Sequence, residues 1–264
     1  MDSLINYCCN FFEQFTLSVL RRGKIPRHVG FILDGNRRFA RKAGATSTKF
    51  GHYEGFKQLE KVLDICMQLG IEAVTVYAFS IDNFNRSKDE VDYLMQLFRE
   101  AFDGFCEQNA FVHEYEIKVK FIGNLSLLPI DVREVANKVM EETKHYDKRI
   151  FNVCCPYTSS DEMTTAMRNT MKLVKEGKIS VDEINDETIQ SQLFTADCPP
   201  LDIIVRTSGE IRLSDFLLWQ ASDGCQIQFV NCYWPEFSFW KLLPVILEYQ
   251  IYSDHQQQVK ENRY

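Results

Sequence analysis

The sequence predicts an α/β fold: a central, mainly parallel sheet of about six strands with helices on both faces. Short apolar segments rich in β-branched residues alternate with longer segments whose apolar residues recur at helical spacing. This alternation is typical of parallel strands joined by crossover helices. The strand segments are also apolar throughout, as expected for strands that are covered on both faces.

The elements follow one another after Pro26. We predict strands at residues 28–33, 73–79, 117–122, 151–155, 202–205 and 227–230. Helices are predicted at about 53–69, 87–108 and 130–146, from 159 onwards, and at about 236–261. Gly70 is a typical helix end, and Ser87-Lys-Asp-Glu90 is a typical capping box at a helix start. We interpret residues 25–264 as one domain.

Residues 1–24 predict an amphipathic helix in front of that domain. The apolar residues of segment 3–20 share one helical face: Leu4, Tyr7, Cys8, Phe11, Phe12, Phe15, Val19 and Leu20. Arg21, Arg22 and Lys24 follow directly. Such a face suits a membrane surface, and it equally suits packing on the protein's own apolar core. The sequence leaves both readings open.

Composition excludes several classes of protein. The chain has 264 residues, with 30 basic and 37 acidic side chains and a net charge of −7, which argues against a nucleic-acid binder. Nine cysteines, an odd number without a CxxC pair, indicate reduced thiols in a reducing compartment rather than disulfides or zinc sites. No apolar run approaches the roughly 20 residues of a membrane span.

The net charge hides one basic segment, at residues 21–42. It holds eight basic side chains against the single acid Asp34: Arg21, Arg22, Lys24, Arg27, Arg37, Arg38, Arg41 and Lys42. Part of this segment follows the first predicted strand, where α/β proteins place their ligand sites. Local positive charge in an acidic protein therefore predicts an anionic ligand.

The first strand is followed by Asp34-Gly-Asn-Arg-Arg38. Glycine lets the backbone approach a ligand closely, and two arginines can bind phosphate oxygens in bidentate fashion. An acid beside such an anion is explained if Mg²⁺ bridges them, since Mg²⁺ is usually held by one or two carboxylates plus substrate phosphates. A solvated surface turn is the alternative for this segment.

Two further strand ends carry the same chemistry. Ser80, Asn83 and Arg86 follow the second strand, with Glu90 available to pair with a basic residue or to cap the next helix. Arg206 and Arg212 follow the fifth strand, with hydroxyl groups and a glycine between and beside them. Two anion sites, one carboxylate for Mg²⁺ and no evident nucleophile indicate a transferase whose leaving group is diphosphate.

At these residues the chain closely resembles the cis-prenyltransferases, the undecaprenyl and dehydrodolichyl diphosphate synthases. The resemblance runs from about residue 25 to 245, and its four motifs occur in the family's order. They are His28-Val-Gly-Phe-Ile-Leu-Asp-Gly-Asn-Arg-Arg-Phe-Ala40, Gly51-His52, the segment 77–92, and the segment 202–220 with Trp234-Pro-Glu236. The Asp34-Gly-Asn-Arg-Arg38 form is that of eukaryotic members.

The resemblance implies a reaction and two substrates. The family extends an allylic diphosphate, typically farnesyl diphosphate, with isopentenyl diphosphate units, and each new double bond is cis. The growing product needs an apolar tunnel. By resemblance, Asp34 binds Mg²⁺ with the diphosphate and assists its departure, while His52 lies nearby. Four residues hold the allylic diphosphate: Gly35, Asn36, Arg37 and Arg38.

The remaining motifs are assigned to the second substrate and to the space between the two substrates. By resemblance, isopentenyl diphosphate is held by Arg206, Arg212 and Ser214. Ser80 and Asn83 lie between the substrates and orient condensation and proton loss. Arg86 and Glu90 support that site. The small residue Ala78 leaves room for a long product.

One departure from the bacterial homodimers predicts a partner. The final residues, Gln257-Gln-Val-Lys-Glu-Asn-Arg-Tyr264, lack the RxG tail that completes the isopentenyl site in homodimers. In eukaryotic two-subunit enzymes a Nogo-B-receptor-like subunit supplies that tail. The resemblance therefore implies a catalytic subunit of dolichol-type biosynthesis, bound peripherally to the cytosolic face of the endoplasmic reticulum membrane.

Two alternatives compete with this hypothesis. A catalytically inactive scaffold of the same fold would resemble the partner subunits, but those lack the Asp34–Arg38 type of loop and the paired-arginine segment. A phosphatase would need a nucleophile or a two-metal carboxylate cluster. The sequence contains both the loop and the paired arginines, and it shows neither the nucleophile nor the two-metal cluster. A prenyl-transferring enzyme is therefore the hypothesis that the residues favour.

Overall fold

A computed structural model describes the backbone of residues 2–107 and 110–261, with side chains at 11–102 and 111–253. The described residues form a six-stranded, entirely parallel sheet in the order β3-β4-β2-β1-β5-β6. The strands are β1 (His28–Ile32), β2 (Ala73–Tyr77), β3 (Ile117–Ile122), β4 (Arg149–Cys154), β5 (Ile203–Arg206) and β6 (Gln226–Phe229). The predicted fold class and all six predicted strands are confirmed.

Ten helices are described, and the six longer ones overlap the helices that the sequence predicts. The longer ones are α1 (Asp2–Leu20), α3 (Lys49–Leu69), α4 (Lys88–Glu107), α6 (Ile130–Thr143), α7 (Ser159–Lys175) and α10 (Phe239–Glu261). The shorter ones are α2 (Asn36–Lys42), α5 (Ala110–Glu114), α8 (Asp186–Gln190) and α9 (Leu218–Ala221). Short 3₁₀ turns occur at Ile81–Asn85, Leu125–Leu127, Val181–Glu183 and Trp234–Glu236.

The two faces of the sheet pack differently. Successive strand residues point to opposite faces. Phe31, Val76 and Val205 join the larger apolar core, which also takes residues from α3, α4, α6 and α10. Their neighbours Tyr77 and Ile204 join a smaller cluster on the opposite face with residues of segment 194–225. Both faces are therefore covered, which explains why the strands are apolar throughout.

Helix α1 divides its apolar residues between the core and the surface. Leu17 and Leu20 are buried in the larger core. The described aromatic residues of the predicted apolar face, Phe11, Phe12 and Phe15, are instead 58–61% exposed. Leu4, Tyr7 and Cys8 of that face lie outside the described side chains. The helix therefore packs on the core through one edge and presents its aromatic residues outwards.

None of the helices in the described part of the chain combines the length and the apolar character that crossing a membrane requires. The six cysteines whose side chains are described are free thiols.

The sheet order defines where a ligand site is expected. The chain runs from β1 to β2 on one side and later returns to pair β5 with the other side of β1. Ligands of such sheets bind beyond the carboxyl ends of the strands, at the point where the direction of winding reverses. Here that point lies between β1 and β5, where Ile32 pairs in register with Arg206.

The first testable prediction concerns Gly51, where α3 approaches the segment that follows β1. A Cβ at this position would collide with the main-chain carbonyl oxygen of Asn36. Helix propensity alone predicts that Gly51→Ala stabilises the protein by about 1 kcal/mol. We expect the opposite, a loss of about 1–3 kcal/mol, because α2 must move away from α3.

Thermal unfolding of the two proteins checks this. Glu60→Ala is the control, since Glu60 is exposed on the same helix, and it should change stability by less than about 0.5 kcal/mol. A Gly51→Ala protein that melts above the wild type would contradict the close packing of α2 on α3.

Candidate active site

An ion pair joins the carboxyl ends of β1 and β5. Oδ2 of Asp34 accepts a hydrogen bond from Nη2 of Arg206 at 2.8 Å. Arg206 is only 3% exposed, whereas Asp34 is partly exposed. Nη1 of the same guanidinium donates to Oγ of Ser214 at 2.8 Å and to the carbonyl oxygen of Arg212. Arg206 thus ties Asp34 to the loop that follows β5.

That loop, residues 207–217, has an unusual backbone. Four of its non-glycine residues, Ser208, Ser214, Asp215 and Leu217, have positive φ angles. Such conformations each cost of the order of 1–3 kcal/mol and cluster at ligand clamps. The hydroxyl of Tyr77, at the end of β2, donates to the Ser214 carbonyl at 3.2 Å. Contacts from neighbouring strands therefore hold Ser214 in position.

Gly35 allows the chain to turn closely from β1 into α2. Its φ is 104°, a conformation that glycine adopts without strain. A Cβ here would lie 2.8 Å from the Tyr233 ring and 3.1 Å from the Ser208 side chain. The next residue, Asn36, donates from Nδ2 to the Leu33 carbonyl at 3.3 Å. The sequence predicts a glycine here so that the backbone can approach a ligand. In the structure, the close packing of Tyr233 and Ser208 requires glycine at this position.

Arg38 lies on α2 and faces the loop after β5. Its Nη2 donates to Oγ of Ser208 at 2.5 Å and to Oδ1 of Asp34 at 3.4 Å. Its Nη1 donates to Oε1 of Glu210 at 2.9 Å. The other oxygen of Glu210 accepts a hydrogen bond from Arg212. The two predicted anion sites are therefore neighbours, linked by one carboxylate.

A second acid, Glu90, lies among three basic side chains. Its carboxylate is 3.0 Å from Nη1 of Arg86, 3.3 Å from Nε2 of His52 and 3.7 Å from Nη1 of Arg37. The carboxylate is only 11% exposed. Of the two roles left open by the sequence, Glu90 forms the ion pair, with the guanidinium groups of Arg86 and Arg37, while the His52 ring lies within hydrogen-bond distance.

Ser80 and Asn83 hold each other in a reciprocal arrangement. Oγ of Ser80 accepts from the backbone N–H of Asp82, and Oδ1 of Asn83 accepts from the backbone N–H of Ser80 at 3.2 Å. This capping box opens the 3₁₀ turn Ile81–Asn85 directly after β2. It fixes both side chains at the cavity wall and leaves the amide N–H groups of Asn83 for a ligand.

These groups surround the mouth of a cavity of about 850 Å³. The polar wall contains every predicted site residue except Glu90. Deeper in, the wall is apolar and comes from β2, β4, α3 and α4. Its apolar residues include Leu59, Val76, Ala78, Leu94, Leu97, Phe98, Phe102 and Phe151. The site therefore combines a cationic entrance with an apolar interior.

Burial and neighbouring charges set the protonation of two site residues. Partial burial opposes ionisation of Asp34, but the hydrogen bond and charge of Arg206, together with Ser208 and Arg38, outweigh it and lower its pKa. Burial lowers the pKa of His52, although Glu90 acts in the other direction. At neutral pH Asp34 is therefore an anion and His52 is a neutral imidazole.

The donor set suits a cation that is shared with a ligand. No cluster of three or more His, Cys, Asp or Glu side chains suited to a metal occurs among the described residues. Mg²⁺ often needs only one or two carboxylates when substrate phosphates supply further oxygens. Asp34 is ionised and lines the cavity, whose wall also contains six arginines that suit phosphate. It therefore fits a Mg²⁺ that a diphosphate helps to hold.

Two residues of the site were not identified from the sequence, Glu210 and Ser208. Glu210 bridges Arg38 and Arg212, and Ser208 accepts from Arg38. Glu210 lies between the two arginines of the third motif, which is the only sequence signal for it. Ser208 is one of the hydroxyl residues between the same arginines, but its left-handed backbone and its proximity to α2 arise only from folding.

The second testable prediction concerns the Asp34–Arg206 pair. Asp34→Ala should lower the free energy of unfolding by about 3 kcal/mol, because the buried guanidinium loses its carboxylate. Asp34→Asn should cost less, since its amide oxygen still accepts a hydrogen bond from Arg206. Urea denaturation at pH 7 measures both losses.

The lowered pKa of Asp34 gives this pair a pH signature. Its contribution is complete above the unfolded-state pKa of about 3.9 and is lost as the pH falls through the lower folded-state value. The stability difference between wild type and Asp34→Asn should therefore shrink below about pH 4. An unchanged difference from pH 7 to pH 3 would show that Asp34 carries no stabilising charge.

Comparison with known proteins agrees with this architecture. The family model described as "Putative undecaprenyl diphosphate synthase" matches residues 32–257. A dehydrodolichyl diphosphate synthase complex subunit of Schizosaccharomyces pombe is 40% identical over 239 residues, which cover 90% of each chain. The corresponding human complex subunit is 41% identical over 242 residues, covering 92% of this chain and 72% of that protein.

Solved structures show the same fold. Lavandulyl diphosphate synthase from Lavandula x intermedia, in complex with dimethylallyl diphosphate, superposes with a TM-score of 0.77 at 27% identity. The match covers 86% of this chain and 95% of that one. The family match, the identity to curated relatives and the shared fold agree with the motifs around Asp34 and Arg206. The chain belongs to the cis-prenyltransferase family.

Proposed function

We propose that this protein is a chain-elongating cis-prenyltransferase that condenses isopentenyl diphosphate onto farnesyl diphosphate. Its product would be a long-chain polyprenyl diphosphate of the dehydrodolichyl type. The observation that carries this proposal is the cavity, because a cluster of arginines at its mouth opens into an apolar interior. A diphosphate head with a hydrocarbon tail has the complementary chemistry.

The allylic diphosphate would bind at the segment after β1. Arg37 and Arg38 line the cavity mouth and offer guanidinium N–H groups to phosphate oxygens. Gly35 and Asn36 provide the close turn that places them there. When bound, Mg²⁺ would neutralise charge on the departing diphosphate. Asp34 would orient that ion through a carboxylate which Arg206 keeps ionised.

Isopentenyl diphosphate would bind at the loop after β5. Arg212 is exposed enough to meet a ligand, and Ser214 is fixed by Arg206 and Tyr77. Buried Arg206 would act chiefly by holding Asp34 and Ser214. Asn83 and Ser80 lie on the wall after β2 and would orient the condensing groups. The Arg86–Glu90 ion pair, with neutral His52 beside it, would support that site.

The apolar interior would hold the growing chain. Its wall is built mainly from leucine and phenylalanine side chains of α3 and α4, which have no polar group that would need water. Burial of each methylene contributes about 0.8 kcal/mol, so a lengthening chain is retained while its diphosphate stays at the mouth. Ala78 lies on this wall, where its small side chain leaves room for a long product.

A Nogo-B-receptor-like partner subunit would complete the isopentenyl site with its RxG tail. The S. pombe and human relatives are themselves described as subunits of a complex. In this chain the edge strand β6 exposes Ile227 and Phe229, each about 40% accessible. Edge strands with apolar side chains are usually covered. A partner on this edge would lie next to the loop after β5.

Residues 1–24 would place the catalytic domain, 25–264, on the cytosolic face of the endoplasmic reticulum membrane. Helix α1 is anchored to the core by Leu17 and Leu20 and exposes the rings of Phe11, Phe12 and Phe15. Arg21, Arg22 and Lys24 are exposed directly after it. Aromatic rings beside basic residues are typical of a peripheral helix on an anionic lipid surface.

The third testable prediction is the activity itself. The protein is incubated with farnesyl diphosphate, labelled isopentenyl diphosphate and Mg²⁺, with and without a candidate partner subunit. We expect butanol-extractable label that increases when the partner is added. Asp34→Asn should remove this activity while the protein stays folded, because the amide cannot neutralise Mg²⁺.

Asp131→Asn is the matched control, since Asp131 pairs with Arg99 at 3.4 Å outside the cavity. It should retain wild-type turnover. Absence of labelled product in both conditions would refute the enzymatic proposal and favour a scaffold. Full activity of the chain alone would refute the need for a partner, and wild-type turnover by Asp34→Asn would refute the metal role.

The fourth testable prediction concerns the membrane face of α1. The wild type should co-sediment with vesicles that contain phosphatidylserine and much less with pure phosphatidylcholine vesicles. Replacing Phe11, Phe12 and Phe15 with serine should abolish most of this binding, because the strength of such binding scales with the apolar area that the helix buries in the lipid.

Substitution of Met167 and Met171 by serine is the control. Both methionines are exposed on α7 to a similar degree, so their replacement removes apolar surface elsewhere. Their loss should leave vesicle binding unchanged. Equal sedimentation of the wild type and the phenylalanine variant would show that α1 does not bind the lipid surface.

A further inference from the structure

Glu210 occupies an unusual place between the two arginines of the proposed substrate sites. Its Oε1 accepts from Nη1 of Arg38 at 2.9 Å, and its Oε2 accepts from Nη1 of Arg212. One carboxylate therefore presents one oxygen to each guanidinium. Two oxygens of a phosphate group would offer the same arrangement to the same N–H groups.

The two terminal nitrogens of Arg38 already donate to groups of the protein. Nη1 donates to Glu210, while Nη2 donates to Ser208 and to Asp34. A phosphate that binds this guanidinium through Nη1 must therefore take the place of the Glu210 carboxylate. Negative charge on Glu210 persists at neutral pH, because Arg212 and Arg38 lower its pKa.

The other two acids of the site are held more firmly. Asp34 pairs with a guanidinium that is only 4% exposed, and the Glu90 carboxylate is itself 11% exposed. Glu210 is 29% exposed and pairs with Arg212, whose side chain is 59% exposed. Water screens and competes for exposed pairs. Of these three acids, Glu210 can thus leave its arginines at the lowest cost.

We propose that Glu210 is a positioning residue that holds Arg38 and Arg212 together and is replaced by phosphate oxygens when a diphosphate binds them. The carboxylate competes with phosphate oxygens for these donors and so limits how tightly a diphosphate is held. In the proposed function, on which this inference rests, the same competition helps release inorganic pyrophosphate after each condensation.

The test is the affinity for inorganic pyrophosphate, measured by isothermal titration calorimetry on the full chain with a metal chelator present. Glu210→Gln keeps the size of the side chain and removes its charge. We expect pyrophosphate to bind Glu210→Gln roughly tenfold more tightly than the wild type, which corresponds to about 1.4 kcal/mol. In the elongation assay, pyrophosphate should inhibit this variant at correspondingly lower concentration.

Glu72→Gln is the control, because Glu72 pairs with Arg27 at 2.8 Å away from the cavity. Its pyrophosphate affinity should equal that of the wild type. Equal or weaker binding by Glu210→Gln overturns the competition and leaves Glu210 with a structural role only. This outcome is independent of prenyl transfer, since the titration uses neither prenyl substrate and the elongation assay separately reports on the proposed function.

Discussion

The candidate site depends on one ion pair, between Asp34 and the buried guanidinium of Arg206. Asp34 follows β1 and Arg206 is the last residue of β5. Because these parallel strands are neighbours, the sheet brings the two residues together at its carboxyl edge. A guanidinium that is almost fully buried needs a carboxylate and further acceptors, and Asp34, Ser214 and the Arg212 carbonyl provide them. The loop after β5 is thereby fixed against the segment after β1.

Three acids allow a high density of arginine at the cavity mouth. Asp34, Glu90 and Glu210 each pair with at least two basic side chains, which limits repulsion among the guanidinium groups. The three acids differ in how firmly they are held: Asp34 pairs with a nearly buried guanidinium, Glu90 is itself almost buried, and Glu210 pairs with more exposed arginines. Asp34 and Glu90 anchor the arrangement from inside, whereas Glu210 faces the entrance, where an incoming anion would compete with it.

The sheet also separates polar from apolar chemistry within one cavity. Polar groups gather where β1, β2 and β5 end, because chain turns expose backbone and side-chain polar groups there. The interior below them is enclosed by α3, α4 and the strands, whose facing residues are apolar. An amphiphilic diphosphate can thus bind with its charge at the edge of the sheet and its hydrocarbon beneath.

The sequence by itself determined the six strands, the main helices and the three strand-end motifs, because apolar periodicity and local residue types depend on neighbours in the chain. It also indicated that Glu90 was available for pairing. Only the tertiary structure decided that Arg206 is buried against Asp34, that Glu210 bridges two arginines, and that Phe11, Phe12 and Phe15 face outwards while Leu17 faces inwards. These outcomes join residues up to about 170 positions apart, and no local pattern encodes which distant groups meet, because that depends on how the whole sheet and its helices pack.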